Sequence, residues 1–223
     1  MLLDSLTPPP TEPLSIDEEA RAWVERTRDA MSIEEMIGQL FIFSTSQDSA
    51  EELGPLLALK PGGINRFPRN DLSAFRSASV HAIEQAVVPP VFTGDIEGGT
   101  ISYPFATTVP NIMGIAACDD LATTEAIARL VARESRVLGY DWSFGPVVDI
   151  NHAFRSAIVG TRSFGSRPEN VLAQASVYIR ALPPASNTGR AMVSTTGTSI
   201  WSPASIRCRL RNGTACSAAS TAS

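Results

Sequence analysis

The sequence predicts an α/β fold in which parallel strands are covered by helices. Short apolar runs bounded by turn residues alternate with longer segments of helical period, four times over. The composition is that of a globular protein, with 43% hydrophobic and 18% charged residues in a chain of 223. Periodicity alone fits an open doubly wound sheet and half of a barrel equally well, so this choice stays open at this point.

The chain divides into three regions, of which the first is residues 1–31. Its sequence predicts a Pro-rich leader followed by one helix. The helix is expected because Ser15 and Glu18 have the spacing of a capping box. The second region, residues 32–182, carries the four strand–helix units. Its expected strands are LFIF (40–43), GINRF (63–67), PPVFTG (89–94) and DWSFGPVVDI (141–150). The first of these is short, continuous and apolar, which predicts a fully buried strand.

Helical periodicity predicts which side of the last helix faces the core. In RPENVLAQASVYIRAL, Leu172, Ala175, Ile179 and Leu182 recur along one side. We therefore expect these four residues to pack inward.

The third region, residues 183–223, differs sharply in composition from the rest. It has four arginines and no Lys, Asp or Glu, whereas residues 1–182 contain 14 Lys and Arg and 23 Asp and Glu. It also has no sustained apolar period. We expect an aberrant, disordered tail.

Charge and composition argue against several classes of partner. The net charge of −5 gives no broad basic surface for nucleic acid, and no apolar run is long enough to cross a bilayer. The first residues lack a basic cluster and a long apolar stretch, so a cytoplasmic protein is expected. Three cysteines and two histidines lack metal-ligand spacing, so neither a metal nor a cofactor is expected.

Polar residues at the ends of the predicted strands are the candidates for a binding site. They are Asp95 and Glu97 in DIEGG, Asp149 in PVVDI and Arg162 in GTRSFG. Ligands bind at the carboxyl ends of parallel strands, carboxylates accept from hydroxyl groups, and a guanidinium donates through a planar fork. An equally weighted alternative is structural, with Asp95 and Glu97 capping the next segment and Arg162 paired with Asp149.

Five motifs follow one another along the second region, namely MSIEEMIGQLF, PGGI, DIEGG, GPVVDIN and IVGTRSFGSRPENV. In this order they resemble glycoside hydrolase family 3, in particular its bacterial β-N-acetylhexosaminidase branch. The resemblance implies an incomplete (β/α)8 TIM-type barrel of about the first four βα units. It also implies a retaining glycosidase acting on an N-acetylglucosaminide-like carbohydrate, in which Asp95 holds sugar hydroxyls and Arg162 binds near the N-acetyl side.

The sequence departs from this family in two ways. An arginine that often follows the EGG motif is replaced near Tyr103, and the Lys-His pair, the Asp-His acid/base loop and the aspartate nucleophile do not appear. No catalytic residue is therefore assigned. We expect an inactive, aggregation-prone chain. The alternatives are a non-catalytic sugar-binding remnant and an unrelated α/β-barrel enzyme that uses Asp149 or Glu97 as base.

A shifted reading frame would account for both the missing motif and the composition of the tail. In the shifted frame, each new codon consists of the third base of one codon and the first two bases of the next. From Ser186 onward, the possible codons of this sequence then allow the peptide K-H-W-P-G-D-G, one variable residue, and D-D-R-D-Q-H. The step from Met192 to Val193 forces Gly. This string is similar to the family's missing catalytic loop, so we expect the last segment to be read out of frame.

Overall fold

The computed structural model describes residues 18–46, 49–67, 71–98, 104–153, 156–182 and 190–191. These residues form seven α-helices and five strands. In chain order they are α1 (Glu18–Asp29), α2 (Ile33–Gly38), β1 (Ile42–Thr45), α3 (Ala50–Leu57), β2 (Gly63–Arg66), α4 (Leu72–Gln85), β3 (Val91–Gly94), α5 (Ile112–Ala117), α6 (Leu121–Val137), β4 (Trp142–Ser143), α7 (Pro168–Ala181) and β5 (Arg190–Ala191). None of the described helices is long and apolar enough to span a membrane.

The five strands make one sheet in the order β1-β2-β3-β4-β5, and every neighbouring pair is parallel. The predicted α/β class and parallel strands are therefore confirmed. The sheet has one more strand than the four predicted, because the two residues of β5 pair with β4. This strand lies within the segment expected to be a disordered tail, whose other residues fall outside the described ranges, as does the leader.

Side-chain caps set the starts of several helices. Ser32 begins α2 with a complete capping box that includes Glu35. Ser49 and Glu52 do the same for α3. Each serine oxygen accepts from a backbone N–H that has no partner inside its helix, while the glutamate returns to the serine N–H. The Ser-x-x-Glu spacing at Ser32 in the sequence therefore marks a real helix start.

The prediction for the first strand is wrong in position and in burial. The strand begins at Ile42, two residues later than expected, and Leu40 and Phe41 precede it with most of their surface exposed. Among the described strands β1 pairs only with β2, so only one of its edges is covered. A continuous apolar run is buried only where neighbouring elements cover it.

Three buried clusters form the core between the sheet and its helices. One lies under α5, α6 and α7, and its large members include Ile112, Phe164 and Tyr178. The predicted inward face of α7 is partly wrong: Leu172 is exposed, whereas Ala175 is buried. The face that is buried is displaced around the helix, toward Tyr178, because α6 packs against that side.

Candidate functional site

Two of the candidate carboxylates follow directly from β3. Asp95 is half-buried one residue after the strand, and Glu97 is buried. Gly98 comes next with φ of +79°, and a Cβ there would lie 2.6 Å from the carbonyl oxygen of Pro110. Only glycine fits this turn without strain, so the chain can leave β3 sharply and expose the Asp95 carboxylate.

The segment after β4 positions the other two candidates. Val147 forms a parallel bridge with Ser163, which follows a short 3-10 turn of Gly160–Arg162. The Ser163 hydroxyl donates to the backbone oxygen of Asp149 at 2.5 Å. The backbones at Asp149 and Arg162 are thereby held near each other, at the carboxyl end of the sheet.

Arg162 and Glu97 form the central ion pair of the site. Nε of Arg162 donates to Oε2 of Glu97 at 2.7 Å, and Nη2 donates to Oε1 at 2.6 Å. The Glu97 side chain is only 3% exposed, while that of Arg162 is 36% exposed. Nη1 also donates to the backbone oxygen of Ile158 at 3.3 Å. The pair thus joins the end of β3 to the 3-10 turn, with the arginine nearer the solvent.

The electric field of the site comes from four charges. Partial burial, followed by the negative charge of Glu97, raises the pKa of Asp95, and Arg162 opposes this shift. The pKa of Arg162 is raised mainly by its hydrogen bonds to Glu97, with smaller contributions from the charges of Asp95 and Asp149. The guanidinium therefore stays charged and faces three carboxylates.

The structure separates the four candidate residues into an ion pair, Glu97 with Arg162, and two half-exposed carboxylates, Asp95 and Asp149. Both oxygens of Glu97 accept from Arg162, whereas the structural alternative paired Arg162 with Asp149. Asp149 is half-exposed and acts on Arg162 through its charge. Asp95 is also half-exposed and follows a strand end directly. The sequence motifs alone do not reveal which carboxylate forms the ion pair with Arg162, because Glu97 and Arg162 lie 65 residues apart.

Two further groups were missed by the sequence reasoning. The backbone oxygen of Ile158 carries no side-chain signal, so no pattern could identify it. Tyr178 of α7 is nearly fully buried, and burial, followed by the charge of Glu97, raises the pKa of its phenol. Its hydroxyl has no hydrogen-bond partner in the described part of the chain. The charge of Glu97 therefore acts on a buried phenol as well as on the guanidinium.

A groove of about 500 Å³ lies away from these residues. It is bordered by α1, by α2 and by the turns that precede β2 and β3, with Trp23, Glu35, Lys60 and Val87 among its lining residues. These elements lie at the amino ends of the strands. This groove is thus at the opposite end of the sheet from Asp95 and Arg162.

Comparison with known proteins places the fold and the sequence in one family. The sequence model described as the glycosyl hydrolase family 3 N-terminal domain matches residues 32–197. A protein of Cellulomonas fimi named β-N-acetylglucosaminidase/β-glucosidase is 35% identical over 173 residues, covering 76% of this chain and 30% of that protein. The β-hexosaminidase LpqI of Mycobacterium tuberculosis is 29% identical over 68% of this chain and 40% of its own length.

Solved structures agree with this assignment. A glycoside hydrolase family 3 β-N-acetylglucosaminidase from a Paenibacillus species superimposes with a TM-score of 0.68 and 25% identity, over 75% of this chain and 33% of that one. The chain thus spans less than half the length of these relatives. Since the family model covers most of the chain, from residue 32 to residue 197, the protein belongs to glycosyl hydrolase family 3 through its N-terminal domain.

Proposed function

We propose that this chain supplies one wall of the saccharide site of a family 3 glycoside hydrolase of the β-N-acetylhexosaminidase type. The observation that carries the proposal is the cluster of Asp95, Asp149 and Arg162 at the carboxyl ends of β3 and β4. Half-exposed carboxylates accept hydrogen bonds from sugar hydroxyls, and an exposed guanidinium edge donates to hydroxyl or carbonyl oxygens. The names of the relatives support an N-acetylglucosamine glycoside as the sugar.

We assign binding, and not catalysis, to the described residues of this cluster. A retaining glycosidase needs a nucleophile and a proton donor on either side of the scissile bond. Both oxygens of Glu97 accept from Arg162, and Asp95 and Asp149 are proposed to accept from sugar hydroxyls. The chain by itself is therefore proposed to bind the sugar without hydrolysing it.

Calorimetric titration with N-acetylglucosamine tests the binding site. We expect saturable binding by the full chain and its loss in Arg162→Ala. Arg133→Ala, on a surface helix, is the matched control and should bind like the wild type. Equal binding by wild type and Arg162→Ala would refute the proposed site.

A chromogenic assay tests the absence of catalysis. The chain should release no chromophore from an aryl N-acetylglucosaminide above the background of the Arg162→Ala variant. Turnover by the pure chain that Arg162→Ala lacks would show that the described residues do more than bind.

The shifted reading frame is proposed for the segment after Leu182. Its support is the loss of all acidic residues beyond that point and the permitted K-H-W-P-G-D-G string. The nucleotide sequence around the codon for Leu182 tests it directly. A shifted frame that does not encode the string would reject the idea.

A further inference from the structure

We infer that Glu97 is a positioning residue that acts on the sugar only through Arg162. This inference rests on the proposed saccharide site and assigns a separate role to one of its carboxylates. The geometry that carries it is the bidentate contact between two residues of very different exposure. Glu97 is 3% exposed, so its oxygens have almost no surface to offer a ligand, whereas Arg162 retains 36%.

The hydrogen bonds of Arg162 show which part of the guanidinium is left for a ligand. An arginine side chain has five N–H groups. Glu97 takes one from Nε and one from Nη2, and the backbone oxygen of Ile158 takes one from Nη1. Within the described part of the chain, two N–H groups remain, one on each Nη. These two donors are the free end of the guanidinium, which can donate to carbonyl or hydroxyl oxygens.

Glu97 fixes the direction of that free end. Two parallel charge-assisted bonds define the plane of a guanidinium as well as its position. The carboxylate is in turn restrained by its buried place after β3. Without Glu97, the long arginine side chain regains rotamers that turn its donors in other directions, and each binding event must restrict them again.

A pair elsewhere in the chain provides a matched control. Arg129 donates through Nε and Nη2 to Glu125 on α6, but both of these side chains are largely exposed. Removing that carboxylate changes one surface pair and leaves the site untouched. Glu97→Gln and Glu125→Gln are therefore the same chemical change in two environments.

The experiment measures affinity for N-acetylglucosamine in a double-mutant cycle. Glu97→Gln should weaken binding roughly tenfold in the wild-type background. In the Arg162→Lys background it should change affinity less than twofold, since lysine has no plane to orient. Glu125→Gln should bind like the wild type. Equal losses in both backgrounds would overturn the inference, because Glu97 would then act independently of the guanidinium.

A spectroscopic signature separates positioning from general support of the fold. The Nε–H resonance of Arg162, assigned by its loss in Arg162→Lys, should exchange slowly with water in the wild type and rapidly in Glu97→Gln. The backbone amide spectrum should stay the same. Glu97→Asp, which keeps the charge but is shorter, serves if the amide variant does not fold, and it should also lose protection.

The outcomes distinguish the two proposals. A wild-type chain that binds no saccharide refutes the saccharide site itself. A wild type that binds, with Glu97→Gln binding equally well or keeping the protected Nε–H, refutes only the role of Glu97.

Discussion

Strands β1 and β2 lie side by side in parallel register, with Ile42 opposite Gly63, yet they differ in burial. Every residue of β2 is buried, whereas β1 alternates between exposed and intermediate positions. Both contain isoleucine, and both follow a helix and a tight turn. The difference shows that burial is decided by what flanks a strand. β2 has a strand on each side, but β1 has one only on its β2 side within the described sheet.

The largest expected effect comes from truncating a buried side chain of β2. Ile64→Ala in β2 should lower the free energy of unfolding by about 2–5 kcal/mol, because Ile64 is fully buried and its removal leaves a cavity. Ile42→Ala in β1 should cost about 1 kcal/mol, since Ile42 is already 39% exposed. Urea denaturation of both variants measures the difference. Equal losses would show that β1 is covered in solution.

A smaller effect is expected where the turn before β2 meets the end of α2. A Cβ at Gly62 would overlap the backbone oxygen of Gln39, so Gly62→Ala must push these backbones apart. We expect a loss of about 1–3 kcal/mol. Gly54→Ala, in α3 with no atom beyond its chain neighbours within 4 Å, is the control. It should change the free energy of unfolding by less than about 1 kcal/mol, because the helix propensity of alanine is opposed by the contact of its Cβ with the ring of Pro55. Thermal unfolding of the two variants checks this, and the loss must be larger for Gly62→Ala.

A charge introduced beside the uncovered edge of β1 should change solubility more than the free energy of unfolding. Leu40 is 81% exposed, so Leu40→Lys should alter the free energy of unfolding by no more than about 0.5 kcal/mol. It removes apolar surface beside the uncovered edge of β1 and should reduce aggregation. Light scattering against protein concentration measures this. Unchanged scattering would contradict the proposed role of that edge.

The smallest effect is a pair of opposite pH dependences. Burial raises the pKa of Asp95, so the folded state binds its proton more tightly and loses stability as pH rises through the folded value. Asp95→Asn should therefore be relatively more stable at neutral pH, with the advantage fading in acid.

Glu35, beside β1, provides the other half of this test. Its hydrogen bond with Lys60, followed by the one from the Ser32 backbone, lowers its pKa. Its contribution is present above the unfolded pKa and is lost as pH falls through the folded one. Glu35→Gln should thus be relatively less stable at neutral pH, with the deficit fading in acid. Unfolding curves from pH 3 to 7 compare each variant with the wild type, and parallel trends would contradict the sign for one of them.

Local signals in the sequence predicted much of the helical framework. The capping box at Ser32 depends on a neighbour three residues away, so it can be read directly from the sequence. The exposed Leu40 and Leu172 could not be predicted, because hydrophobicity states what a residue prefers and not whether another element reaches it. The choice of Glu97 as the partner of Arg162 depends on the meeting of two distant segments, which no local pattern encodes.

The bridge between Val147 and Ser163, together with the hydroxyl bond to Asp149, closes a loop at both of its ends. Arg162 is the last residue of this loop before Ser163, so the contacts that close the loop also hold the backbone of the arginine. Exchanges at exposed positions in the first part of the loop, such as His152 and Ala153, are expected to be tolerated. A change near Ser163 is expected to displace the guanidinium, so tolerance to substitution should differ between the two parts of the same loop.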